Sequence, residues 1–181
     1  MAQAPMSNAH TVKISLVGPE SSGKTTLAGA LAEALGCPWV PEHARDYLAV
    51  TGGAYGADDL LRIARGQVLG EERALADGPP FLVCDTDLVT IVVWSLEKYG
   101  RCDPWIMEQA RARVYTHRFL LAPDMPWVPD PLRENPHDRD RLFTVHRRVL
   151  EELGLSYTIL QGALEVRLRE ALRLVRPTSA R

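Results

Sequence analysis

Residues 18–26 read GPESSGKTT, and Gly18, Gly23, Lys24 and Thr25 fill the fixed positions of the pattern G-x-x-x-x-G-K-[ST]. That pattern describes a turn whose backbone N–H groups face inward around phosphates, an approach close enough to require residues without large side chains. In such a turn Lys24 reaches the β- and γ-phosphates, the Thr25 hydroxyl meets Mg²⁺, and the helix starting there adds its positive N-terminal end. Glu20, Ser21, Ser22 and Thr26 complete the expected ATP-binding stretch. Upstream, Val12, Ile14, Leu16 and Val17 read as a buried strand; downstream, Leu27, Leu31 and Leu35 recur at helical spacing. Strand, loop, helix is the order the motif requires, so ATP and Mg²⁺ are the expected ligands.

Strand and helix signals alternate along the rest of the chain, which predicts an α/β P-loop NTPase fold: a parallel five-stranded sheet with helices on both faces. After the first helix stops at Gly36, a short strand over 37–41 ends near Glu42, and helices follow over 43–50 and 57–76. The continuous apolar run Phe81–Cys84 predicts a central strand buried on both faces and ending at Asp85. Helices over 88–99 and 104–114 lead to a strand at 118–121, a helix ending at Gly154, a strand at 157–160 and a closing helix striped by Leu164, Leu168, Leu172 and Val175. Residues 123–141 are rich in proline, aspartate and arginine and lack periodicity, and a loop of that length in a compact domain is usually functional or disordered. This segment reads as an arginine-rich lid. Residues 1–10 read as a disordered leader, 11–176 as a single domain and 177–181 as a frayed tail.

The 181 residues suffice for one core. A formal charge of −2 leaves no global basic field for nucleic acid. No apolar run approaches the ~18 residues that span a bilayer, and the N-terminus has no secretory pattern, so a cytoplasmic protein with a small-molecule partner is expected. Cys37, Cys84 and Cys102 are far apart and read as reduced thiols; the five histidines have no metal-ligand spacing.

Ligands of open parallel sheets bind beyond the carboxyl ends of the strands, which is where Glu42, Asp85 and Asp87 fall. Phosphoryl transfer to a hydroxyl needs a carboxylate in reach of that hydroxyl and another on the Mg²⁺ side. Asp85, directly after the apolar strand, takes the metal side with Thr25, and Glu42 takes the acceptor's base. For Asp87 two readings stand: it holds the acceptor's hydroxyls or the metal's waters, or it caps the helix starting at Leu88. Arg133, Arg139 and Arg141 in the lid, Arg118 before it and Arg45 after the second strand offer cations to close over the γ-phosphate, against a balance of local acids. Trp127, between two prolines, packs either on a flat ligand or on its own chain, whereas Trp94 reads as core.

The four stretches GPESSGKTT, PEHARDYL (41–48), CDTDLVT (84–90) and PWVPDPLREN (126–135) together resemble the kinase domain of NadR-type ribosylnicotinamide kinases, over about 12–176. The resemblance implies ATP-dependent phosphorylation of the ribose 5′-hydroxyl of nicotinamide riboside, giving nicotinamide mononucleotide for NAD synthesis. It also implies that Gly23, Lys24 and Thr25 hold ATP and Mg²⁺, and that Glu42 and the Asp85–Asp87 stretch face the acceptor. A pyridinium ring favours an aromatic face with carboxylates nearby, which the lid offers in Trp127, Asp124 and Asp130, with Arg45 also on the acceptor side. Larger family members carry an N-terminal nucleotidyltransferase, and only about ten residues precede the first strand here, so no adenylylation is expected. A regulatory GTPase is disfavoured because Asn8 and Asn135 are the only asparagines and N-K-x-D is absent. A kinase for another nucleoside or metabolite, and a non-catalytic nucleotide sensor, are the competing readings.

Overall fold

The computed structural model describes residues 11–130 and 137–176. Along the chain run β1 (Val12–Val17), α1 (Lys24–Leu35), β2 (Trp39–Val40), α2 (His43–Thr51), α3 (Ala57–Leu75), β3 (Phe81–Asp85), α4 (Leu88–Tyr99), α5 (Pro104–Ala112), β4 (His117–Leu121), α6 (Arg139–Glu152), β5 (Thr158–Leu160) and α7 (Leu164–Val175). The strands form one sheet in the order β2-β3-β1-β4-β5, every pairing parallel. This is the α/β P-loop NTPase fold. β1 lies between β3 and β4, so the strand order reverses at its carboxyl end and the crevice there opens at the Gly18 loop.

Both faces of the sheet are covered. Ile14 and Leu16 of β1, with Phe119 and Leu121 of β4, pack against Leu27 and Leu31 of α1 and Ala171 of α7. Leu27 and Leu31 are fully buried, and each such leucine contributes about 2 kcal/mol of transfer free energy. On the opposite face Val17 and Leu120 join residues of α3, α4 and α6. The closing helix rests Leu164, Leu168 and Leu172 half-buried against this core, while its fully buried line is Arg167, Ala171 and Val175, one residue round from the predicted leucine stripe.

Polar residues also lie inside this second face. Lys13 Nζ meets the buried Glu71 carboxylate of α3 at 2.8 Å, and the Tyr115 hydroxyl donates to its other oxygen at 2.7 Å. Arg118 Nε donates to Asp87 at 2.8 Å with both side chains buried. Charges can be held this deep only because each meets an opposite charge and a hydrogen bond.

The differences from the sequence expectations are at element ends. β2 and β5 are shorter than predicted, at two and three residues. α6 starts at Arg139, so Arg139 and Arg141 belong to its first turn instead of to an irregular lid. An acidic Asp138 and Asp140 at that end favour the helix through its positive N-terminal field, which hydrophobic spacing does not reveal.

Candidate active site

The loop after β1 has the conformation the motif demands. Gly18 (φ +140°) and Gly23 (φ +84°) lie in backbone regions that side chains rarely adopt; an added Cβ would sit 2.8 Å from the Leu121 carbonyl oxygen and from Met125 Sδ respectively. Lys24 Nζ lies back over the loop, donating to the Gly18 and Pro19 carbonyls at 2.9 Å each. Ser21 Oγ accepts from the Val128 N–H at 3.0 Å, while Arg139 donates to the Ser21 and Met125 carbonyls at 3.2 and 2.8 Å. The start of α6 and the segment after β4 are thereby tied to the loop.

Arg167 supports the loop from behind, and the motifs gave no hint of it. It is 1% exposed and donates to the carbonyls of Ser22 (2.5 Å), Gly162 (2.8 Å) and Ala122 (2.9 Å) and to Asp124. One planar fork thus joins the phosphate loop, the end of β4 and the turn before α7. A sequence signal existed: Arg167 falls on the apolar stripe of α7, beside Leu164, Leu168 and Ala171, where a cation requires several acceptors.

A cavity of about 350 Å³ opens at the loop, lined by all of residues 18–26 and by Glu42, Arg45, Tyr55, Trp94 and His146 among others. Glu42, at the start of α2, is 13% exposed and 3.5 Å from Arg45 Nε, and Arg45 reaches across to Asp130 at 2.9 Å. Burial pushes the Glu42 carboxyl above its ordinary range; Lys24 opposes the rise, Asp85 adds to it and Arg45 opposes it. Asp85 is 1% exposed, and neither carboxylate oxygen has a hydrogen-bond partner among the described residues. Burial raises its pKa too, against the Thr25 hydroxyl beside it and the charges of Lys24 and Arg45. Two buried, unpartnered carboxylate oxygens next to a threonine hydroxyl form a hard-oxygen donor set, the kind that could hold Mg²⁺ directly or through its waters.

Asp87 does not join them. Its Oδ1 caps α4 by accepting the Val89 N–H at 2.8 Å, and its Oδ2 accepts from Ser15 Oγ (2.9 Å) and Arg118 Nε (2.8 Å). The capping reading holds, and the expected substrate-binding or basic role is corrected, because both oxygens are engaged and Asp87 is not among the residues that line the cavity. Thr86 explains the parting. Its φ of +85° breaks the strand's alternation, so Asp85 stays with the loop while Asp87 turns under α4. Arg118 pairs with Asp87 through Nε and is not among the residues that line the cavity.

The lid calls for further correction. Asp124 accepts from the Gly162 N–H at 2.6 Å and pairs with Arg167, so it braces the loop and does not line the cavity. Trp127 also lies off the cavity lining, with the Arg139 guanidinium 5.8 Å over its ring. The aromatic wall is instead Tyr55 and Trp94, with ring centroids 6.3 Å apart and planes at 28°; Trp94 packs against the core, as expected, and also lines the cavity from α4. Arg141 lines the cavity and pairs with Glu97 (2.5 Å) and Asp138 (2.7 Å). Arg133 lies outside the described residues. On α6, His146 is 2% exposed, its Nδ1 is 2.8 Å from the Leu142 carbonyl, and burial pushes its pKa down to about 4.

Fold and site together define a P-loop nucleotide-binding protein whose cavity runs from the phosphate loop to an aromatic wall. Residues 13–167 match the family model described as AAA domain, and the chain belongs to that family. It is 30% identical over 154 residues to the trifunctional NAD biosynthesis/regulator protein NadR of Escherichia coli (strain K12), covering 80% of this chain and 37% of that protein. The NadR protein of Salmonella typhimurium (strain LT2) is 32% identical over 160 residues, covering 83% and 38%. The chain thus spans well under half the length of these curated relatives. In structure it resembles NadR in complex with NAD and AMP-PNP (TM-score 0.77, 21% identity, 93% of this chain and 49% of that one). It resembles NadR in complex with NR to a similar degree (TM-score 0.75, 21% identity, 93% and 50%). The resemblance carried by the four sequence stretches is therefore borne out, as a NadR-type domain.

Proposed function

We propose that the chain is an ATP-dependent kinase that transfers the γ-phosphoryl group to the 5′-hydroxyl of nicotinamide riboside. The observation that carries this reading is that one cavity is lined by the phosphate loop, by the largely buried Glu42 and by the Tyr55–Trp94 pair. Glu42 accepts the hydroxyl proton as the sugar oxygen bonds to the γ-phosphorus and the bond to the β–γ bridging oxygen breaks, releasing ADP. The rise in its pKa makes it a better proton acceptor than an exposed carboxylate. Lys24, released from the Gly18 and Pro19 carbonyls, follows the charge of the transferred group, and Arg141 at the cavity wall adds a second cation. Mg²⁺, held by Thr25 and Asp85, would neutralise phosphate charge when bound.

The aromatic pair suits a pyridinium. Lys98 Nζ lies 3.8 Å over one face of the Tyr55 ring, so a pyridinium would take another face of the pair. Among the NadR matches, the two relatives named for NAD biosynthesis and the structure solved with NR support the same acceptor. The test is product analysis after incubation with ATP, Mg²⁺ and, separately, nicotinamide riboside, the common nucleosides or water. The reading predicts a phosphorylated nicotinamide riboside formed one-to-one with ADP; preferential phosphorylation of another nucleoside, or ADP release in water alone, would refute it.

A further inference from the structure

Thr90 of α4 and His146 of α6 line the cavity from two helices that pack together, and both are nine-tenths buried or more. Thr90 Oγ1 and His146 Nε2 have no hydrogen-bond partner among the described residues. The polarity of the histidine is settled by its other nitrogen. Nδ1 faces the Leu142 carbonyl, which can only accept, so Nδ1 carries the proton and Nε2 of the neutral ring is a bare acceptor. A threonine hydroxyl both donates and accepts. Left without partners, such buried atoms are costly, whereas a ligand that satisfies them gains both the bonds and selectivity.

We propose that Thr90 Oγ1 and His146 Nε2 form a two-point subsite that reads one neutral group of the acceptor molecule, a group donating to the imidazole and accepting from the hydroxyl. A primary carboxamide has this chemistry, and so does a sugar hydroxyl. A carboxylate does not, because it would set negative charge against the Nε2 lone pair. The depressed pKa of His146 supports the arrangement by keeping the ring neutral at physiological pH. The subsite deepens the kinase reading above and rests on it.

The test measures kcat and KM for nicotinamide riboside, its carboxylate counterpart nicotinic acid riboside, and sugar-deoxygenated nicotinamide ribosides, using the wild type, Thr90→Val and His146→Phe. Thr90→Ser and His146→Gln, which restore a hydroxyl and an acceptor, serve as rescue variants, and thermal melts confirm folding. Each disruptive variant is expected to raise KM for nicotinamide riboside about tenfold, with KM for ATP unchanged, and each rescue variant to recover most of that loss. If the carboxamide is the group read, the wild type disfavours nicotinic acid riboside and the disruptive variants erase that preference. If a sugar hydroxyl is read, one deoxygenated riboside takes its place. Folded variants whose KM and analogue preferences match the wild type overturn the subsite and leave the kinase reading intact. A wild type that phosphorylates no riboside refutes both.

Discussion

Asp85, Thr86 and Asp87 show how one strained residue sets two fates. In an extended strand the two aspartates would share a face, but the left-handed Thr86 sends one to the phosphate loop and the other beneath a helix. The sequence D-T-D contains both carboxylates and not the bend, so their roles could not be separated from it. His146 makes a prediction at this scale. The unfolded chain takes up a proton on this imidazole near 6.5 and the folded chain only near 4, so between those values the unfolded state binds more protons. Stability is fully present above pH 6.5 and falls as the pH drops toward 4, by about 3 kcal/mol at most from this group. Denaturant titrations across that range are expected to show a shallower loss for His146→Phe than for the wild type; equal slopes would contradict the assignment.

At the level of elements, the strand–loop–helix unit of β1 and α1 is legible because glycine spacing and leucine periodicity agree. α4 was less so. Its sequence LVTIVVWSLEKY is apolar nearly all round, since one side packs in the core while Trp94 faces the cavity, and periodicity alone cannot tell those sides apart. α7 hides its role in a different way, burying Arg167 on an apolar stripe where only the folded loops supply acceptors. Arg167→Met is expected to cost about 2–4 kcal/mol and to weaken ATP binding about tenfold. Arg167→Lys is expected to recover little, because an ammonium cannot span the acceptors of a guanidinium fork. Urea unfolding and nucleotide titration check both, and wild-type behaviour of the lysine variant would contradict the bracing role.

Across the molecule, the strand order places three things at one end of the sheet: a phosphate loop after β1, the largely buried Glu42 carboxylate at the start of α2 and an aromatic wall between α2 and α4. Arg45 links Glu42 to Asp130 beyond β4, and Arg139 links the start of α6 to the loop, so the parts that would enclose the transferred group are already joined. The alternation of elements foretold the sheet, since it reflects local burial. The location of the aromatic wall depends on contacts between segments some forty residues apart, Tyr55 and Trp94, and was not foretold. The most direct test of the whole is a single-turnover transfer with γ-labelled ATP and nicotinamide riboside, comparing the wild type with Glu42→Gln. The account predicts label on the riboside's 5′-phosphate with the wild type, at least a hundredfold slower transfer by the variant, and ATP binding equal in both. Transfer at the wild-type rate by Glu42→Gln, or label released only as inorganic phosphate by the wild type, would contradict it.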